Sequence, residues 1–277
     1  MLPQISIEQE TTLVDRARSG DEGALTALVE PLRRPLFAYV YRMVTHRADA
    51  EDLMQDVLVR VIEGLRTYRG QARLKTWVFG IATHACLDHL RSKKRWRVEA
   101  QLEGERELDG DPGQVEALVA LINQPDFVYE VREHIAFCFA CIGRTLEPEE
   151  QAAMMLKEIL GFTAQEAAGI LQVSEPVYRH RLSSARAKMI GSFDGLCQLI
   201  NKSGACWQCS GLHEHVPEGH RTAALVQIEV APGMAVTPEN LFEARLAIVR
   251  EADLENGATR AMHDMFYEGI SQRQENT

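Results

Sequence analysis

DAEDLMQDVLVRVIEGLRTYRGQARLKTWVFGIATHACLDHLRSKKRWR, residues 49–97, decides how the rest of the chain is read. Leu53, Val57, Leu58, Val61, Ile62 and Leu65 recur at helical spacing and predict one apolar stripe. Asp52, Gln55, Asp56, Val59, Arg60 and Glu63 fall on the opposite face. Tyr68-Arg69-Gly70-Gln71-Ala72-Arg73 reads as a polar turn. A second helix then carries Trp77, Val78, Ile81, Ala85 and Leu90 and closes on Arg91, Lys93, Lys94, Arg95 and Arg97. An acidic face, an aromatic and basic turn, and a basic helix end thus follow one another.

Before this stretch, Leu13, Ala17, Ala24, Leu25, Leu28 and Val29 suit a helical face. Ser19-Gly20-Asp21 reads as a break with a helix start, and Pro31 and Pro35 are expected to restart the chain. After it, residues 99–126 form an acidic linker with Gly-Asp-Pro-Gly at its middle and a short helix expected over 115–122. Residues 127–192 read as a second helical unit. Thr163 caps a helix, with Glu166 three residues on as a capping box. Gln172-Val173 makes a turn, Ser174 caps the next helix, and Pro176 sits in its first turn, where a missing N–H costs little. That helix carries Tyr178, Arg179, His180, Arg181, Ser184, Arg186 and Lys188. The pair is a helix-turn-helix with a basic second helix.

The chain has 277 residues, 45% hydrophobic and 25% charged, which suits two or three small domains of an ordinary globular protein. No apolar run spans a bilayer and the N-terminus lacks a signal-peptide pattern, so the expected location is the cytosol. The net charge of −10 is unevenly spread. Residues 31–97 carry 14 Lys and Arg against 6 acids. Residues 99–130 carry 9 acids against one Arg, and residues 212–277 carry 11 acids against 5 Arg. The basic block is the part suited to phosphate.

The 49–97 stretch resembles region 2 of the extracytoplasmic-function (ECF) sigma factors of the sigma-70 family, promoter-recognition subunits of bacterial RNA polymerase, on DAEDLMQDVLVRV, YRGQARLKTWVFGIA and LDHLRSKKR. The helix-turn-helix resembles region 4 of the same family. The resemblance covers roughly residues 10–190. It implies an all-α chain: 1–98 as region 2, 99–126 as linker, 127–192 as region 4, and 193–277 as an α or α+β extension. It also implies that Asp52, Gln55 and Asp56 dock on polymerase core. The −10 element would be held by Tyr68, Arg69, Arg73, Lys75, Thr76, Trp77, His84, Asp88, Arg91, Lys94 and Arg95, because opened DNA needs an apolar pocket for a base and cations for phosphate. Trp77 and Val78 can equally be core. The −35 element would be met by Glu175, Tyr178, Arg179, His180 and Arg181, with Arg186 and Lys188 on phosphate. The linker would thread the polymerase or act as a plain tether. Promoter DNA and polymerase core are the implied partners, an anti-sigma factor or other regulator a further one. The chain itself is expected not to be an enzyme. The rivals are a helix-turn-helix regulator that needs no polymerase, and a zinc or thiol redox protein.

Six cysteines stand at 86, 138, 141, 197, 206 and 209. If the segment is helical, His134, Cys138 and Cys141 share one face at i, i+4 and i+7. Their spacing is similar to the motif of zinc-binding anti-sigma factors. With Cys206 and Cys209 they could close one zinc site. Three alternatives stay open: a local site of Cys206 and Cys209 with His213, His215 or His220; a reversible disulfide; or buried thiols without metal. Cys86 and Cys197 read as core. In the tail, residues 223–231 suggest a short strand, and helices are expected after Thr237-Pro238 and around 262–270. The acidic tail is expected either to cover a basic DNA-binding face or to serve as a stabilising lid.

Overall fold

The computed structural model describes residues 6–93, 95–97, 100, 110–200, 202–206, 208–221, 228–252 and 259–276. Among these the chain is all-α. The helices are α1 (Ile7–Arg18), α2 (Glu22–Val44), α3 (Arg47–Gly64), α4 (Leu74–Ser92), α5 (Pro112–Ile122), α6 (Val131–Gly143), α7 (Pro148–Met154), α8 (Ala164–Ile170), α9 (Glu175–Leu196), α10 (Gln208–His215), α11 (Pro238–Glu251) and α12 (Arg260–Asn276). A π-helical turn, Met155–Ile159, continues α7. No strand forms among the described residues, only isolated bridges. Residues 223–227 of the expected strand lie outside the described residues, and 228–231 are irregular.

Two compact units result, and neither is contiguous in sequence. The first takes residues 1–93 and 148–183, the second residues 94–147 and 184–277. Helix α9 contributes its first part to one and its remainder to the other.

In the first unit α1 to α4 pack as a bundle, with α7 and α8 against α4. Helix α2 runs unbroken through Pro31 and Pro35, so these prolines do not restart the chain. The carbonyls that lose their partners belong to Ala27 and Pro31, both exposed, where water can satisfy them. The core centres on Tyr39, Phe79 and Phe162, whose rings meet edge to face at 5.6 and 5.4 Å. Gln151 of α7 donates to the Arg42 and Met43 carbonyls at 3.3 and 3.0 Å and so satisfies the open end of α2. Of the stripe expected on α3, Val57, Val61 and Leu65 are buried, but Ile62 is 47% exposed. Met54 and Ala50 complete the inner face instead.

In the second unit α6 is buried from His134 to Gly143. Phe139, Phe193 and Phe242 pack at 6.1–6.2 Å, drawing α9 and α11 onto it. The segment before α6 is fixed by the tail. Tyr129 N–H donates to the His220 carbonyl at 2.7 Å, Glu130 N–H to the Thr259 hydroxyl at 2.9 Å, and Thr259 N–H to Glu133 at 3.0 Å. The tail therefore supplies core to the segment that opens the expected region 4. Both helices expected in the tail form, α11 capped by Thr237.

One buried carboxylate positions the turn before α4. Glu10 of α1 accepts from Leu74 N–H at 2.8 Å and from Arg73 Nε at 3.0 Å, capping α4 across more than sixty residues of sequence. Glu10→Ala should destabilise the chain by about 1–3 kcal/mol, because a helix N–H and a guanidinium lose their acceptor. The urea midpoint measures this, and an unshifted midpoint would mean that water replaces the carboxylate.

Candidate nucleic-acid interface

The turn expected to hold a base lines a cleft of about 820 Å³ in the first unit. Its floor is Tyr68, Thr76, Trp77 and His84; Gln165, Glu166 and Ile170 of α8 stand on its other side. Tyr68 is buried, its ring 5.0 Å from Trp77, and its hydroxyl donates to the Ala72 carbonyl. Burial, then the nearby Glu10 charge, pushes the phenol up to about 12, so it is a neutral wall. Trp77 is half-buried and packs on Gly64, where a Cβ would lie 2.9 Å from the ring and force it to shift. The Thr76 hydroxyl is buried at the cleft without a hydrogen-bond partner.

The cations called for phosphate mostly face carboxylates of the same chain. Arg73 pairs with Glu10, Lys75 with Glu166 at 3.5 Å, and Arg91 with Asp88 at 3.2 Å and Glu149 at 2.7 Å. Arg95 pairs with Glu147. Lys75 also lies over the Phe162 ring at 5.3 Å. Arg69 is exposed, and Lys94 lies outside the described residues. Glu10, the partner of Arg73, was not found by reading the sequence, since its only local signal is an acid in the first turn of an amphipathic helix.

In the helix-turn-helix, Thr163 and Glu166 form the expected capping box. Gln172 takes a left-handed φ of 54° in the turn. Arg179 and His180 are exposed on α9, and Arg179 pairs with Glu175. Tyr178 is not available to DNA as expected. It is fully buried, with its hydroxyl donating to the Ala153 carbonyl at 3.2 Å, because it faces the core side of α9. Val177, 43% exposed in the first turn, was missed. Further along α9, in the second unit, Arg186 pairs with Glu243 of α11 at 2.5 Å and lies over Phe242.

The expected polymerase face is open. Asp52, Gln55 and Asp56 are exposed on α3, with Val59 (53% exposed) and Ile62 on the same side. An acidic face with apolar side chains left in water suits a protein partner.

The cysteines divide. Cys141 is buried in an apolar cluster with Trp96, Phe137, Tyr267 and Ile270, away from the expected ligand set. His134, Cys138, Cys206 and Cys209 line one small cavity in the second unit, joined by Cys197. Burial, then the Arg245 charge, pulls the His134 imidazole down to about 4, so it is neutral. His213 and His215 lie on α10, and His220 Nδ1 stands 2.8 Å from the Ile122 carbonyl. Among the described residues no three His, Cys, Asp or Glu side chains stand arranged to hold a metal ion. None of the described helices is long and apolar enough to cross a membrane.

Comparison with known proteins agrees with this anatomy. Sigma-70 region 2 matches residues 28–96, and sigma-70 region 4 matches residues 138–189. ECF RNA polymerase sigma factor SigG of Mycobacterium tuberculosis is 29% identical over 60% of this chain, and the match spans only 48% of that protein. ECF RNA polymerase sigma factor SigX of Bacillus subtilis is 26% identical over 56% of this chain and 75% of its own length. RNA polymerase sigma-H factor of Pseudomonas aeruginosa is 25% identical over 65% and 91%. Among solved structures, CnrH in complex with the cytosolic domain of CnrY aligns at a TM-score of 0.47 with 20% identity, over 67% of this chain and 97% of that one. With both regions in order and these relatives, the chain carries sigma-70 regions 2 and 4 and is similar to the extracytoplasmic-function sigma factors.

Proposed function

We propose that this chain directs RNA polymerase core to promoters from the cytosol: α3 docks on the polymerase, the Tyr68–Trp77 cleft takes a base of the −10 strand, and α9 enters the major groove at the −35 element. The bond chemistry belongs to the polymerase. The observation that carries this reading is the cleft beside α3, where an aromatic wall, a buried unpartnered Thr76 hydroxyl and flanking cations meet. A splayed base needs an apolar face and a polar group to read its edge. On α9 the exposed Val177 suits a thymine methyl, and Arg179 and His180 suit base edges or phosphate.

In this reading the described state of the first unit is a resting one, because α8 stands over the cleft. Opening requires Phe162 to leave the core and the Gln151 bonds and two surface ion pairs to break. Burying one Phe is worth about 1.5–3 kcal/mol. Exposed pairs such as Arg91–Glu149 contribute at most about 1 kcal/mol each. The sum is several kcal/mol, and a nanomolar association with polymerase, worth about 12 kcal/mol, exceeds it. The tail adds a second restraint, since Glu243 occupies Arg186. A regulator could act on either restraint.

In transcription with purified core enzyme, Asp52→Arg combined with Asp56→Arg should reduce output roughly tenfold or more, equivalent to about 1.4 kcal/mol of docking energy, without lowering the melting temperature. Full output from that variant, or tight specific binding of the free chain to promoter duplex, would favour a regulator that works without polymerase. Glu149→Gln with Glu166→Gln should raise the affinity of the free chain for single-stranded −10 DNA severalfold, read by fluorescence anisotropy at two salt concentrations. No gain would mean that the cleft is already open. Glu243→Gln should strengthen binding to −35 duplex and steepen its salt dependence, because Arg186 loses one competing carboxylate. An unchanged slope would remove the tail from this role.

A further inference from the structure

We propose that Cys197 and Cys206 are a reversible peroxide-oxidised pair: Cys206 meets the oxidant, Cys197 closes the disulfide, and the buried Arg245 loses its acceptor as the bond forms. The inference stands apart from the promoter-binding reading. It also departs from the pairing that spacing invites, Cys206 with Cys209.

The backbone sets the pair. Cys197 follows α9, and Cys206 ends a short loop that returns to it. The two residues face each other across an isolated parallel bridge. Cys206 N–H donates to the Leu196 carbonyl at 2.8 Å, and Gln198 N–H donates to the Cys206 carbonyl at 3.1 Å. Residues so placed stand about 4.8 Å apart, and a disulfide spans roughly 4.4–6.8 Å between Cα atoms. Gly204 permits the close return, since a Cβ there would lie 2.6 Å from the Leu196 carbonyl oxygen. Both side chains line one small cavity, together with Cys138 and Cys209.

Exposure and charge divide the roles. Cys206 is partly exposed, whereas Cys138, Cys197 and Cys209 are buried, so a small oxidant meets Cys206 first. Cys197 Sγ accepts from Arg245 Nη2 at 2.7 Å. Arg245 is wholly buried, the sulfurs of Cys197, Cys138 and Cys209 act on its charge, and it also hydrogen-bonds the Cys138 side chain. A buried guanidinium calls for an anion. A cation donating to sulfur favours the thiolate, the form that attacks another sulfur. Cys209 is the poorer partner: burial, then the Cys138 sulfur, pushes its thiol well above the usual range, so it stays protonated.

The chemistry balances in two steps. The Cys206 sulfur attacks one oxygen of hydrogen peroxide, the O–O bond breaks, and Cys206 becomes a sulfenic acid as water leaves. The Cys197 thiolate then attacks the Cys206 sulfur, the S–S bond forms, and the S–O bond breaks to release hydroxide. Each sulfur has given one electron and peroxide has taken two. A dithiol reverses the bond by exchange. Oxidised Cys197 is neutral, so Arg245 of α11 loses the anion at its Nη2. Its Nε and Nη1 have no hydrogen-bond partner, and the ring contact 4.0 Å from the Phe193 centroid is left as a weaker tie between α11 and α9.

The test is peptide mapping of the full native chain, reduced, treated with hydrogen peroxide, alkylated and digested without reductant. Trypsin cuts after Lys202, so the proposed bond joins two peptides, while a Cys206–Cys209 bond stays within one. The joined pair is expected in the native chain, in Cys138→Ser and in Cys209→Ser, and reductant should reverse it. Cys197→Ser should stop at a sulfenic acid on Cys206, captured by dimedone. Hydrogen exchange at the α11 amides should speed up severalfold on oxidation of the native chain but not of Cys197→Ser. If a variant fails to fold, the map of the native chain decides on its own. A native chain whose Cys206 stays a thiol in excess peroxide overturns the proposal, as does a Cys206–Cys209 disulfide or a joined pair that Cys209→Ser abolishes. Unchanged exchange at α11 overturns the part given to Arg245.

Discussion

Most of the cations expected to meet phosphate face carboxylates of the same chain. Here the chain supplies its own anions. Glu10 holds Arg73, Glu166 holds Lys75, and Glu149 holds Arg91 in the first unit. Glu147 holds Arg95 and Glu243 holds Arg186 in the second. On the proposed reading these carboxylates stand where phosphate would stand. Most of these pairs are exposed and individually weak, so they exchange readily with a polyanion. Glu10 is the exception. It is buried and caps a helix, which makes it a fixed part of the reading turn rather than a stand-in for DNA.

The apolar contacts make the exchange selective. Ion pairs alone would yield to any polyanion. Phe162 against Phe79, and the Gln151 amide on the open end of α2, add terms that salt does not screen. On the proposed reading, release of the cleft needs a partner that binds the opened state with surplus energy. The tail works differently. Phe242 and Leu246 of α11 are core residues of the second unit, so the tail cannot be removed without exposing α6. Cover and scaffold are one element there.

Local patterns were legible in the sequence wherever one helix decides its own fate. The stripe on α3, the capping box at Thr163 and Glu166, and the Thr237-Pro238 start of α11 all depend on residues within one or two turns. What escaped depends on distance in the chain. Glu10 meets Leu74 across 64 residues, and nothing local marks an acid as a distant cap. Tyr178 reads as a recognition residue among basic neighbours, but the rotation of α9 turns it inward. Cys141 shares a spacing with Cys138, yet a step of three residues along α6 places it against Trp96 and Tyr267. Pro31 and Pro35 read as breaks because periodicity does not reveal that the orphaned carbonyls face water.

The contact between Gly64 and the Trp77 ring has an evolutionary corollary. A side chain at 64 would force the Trp77 ring out of its present place, so the two sites are coupled. Lineages that keep the tryptophan should keep the glycine, and a bulkier residue at 64 should travel with a smaller ring or none at 77. The depth of the adjoining cleft would then drift as a paired trait rather than residue by residue.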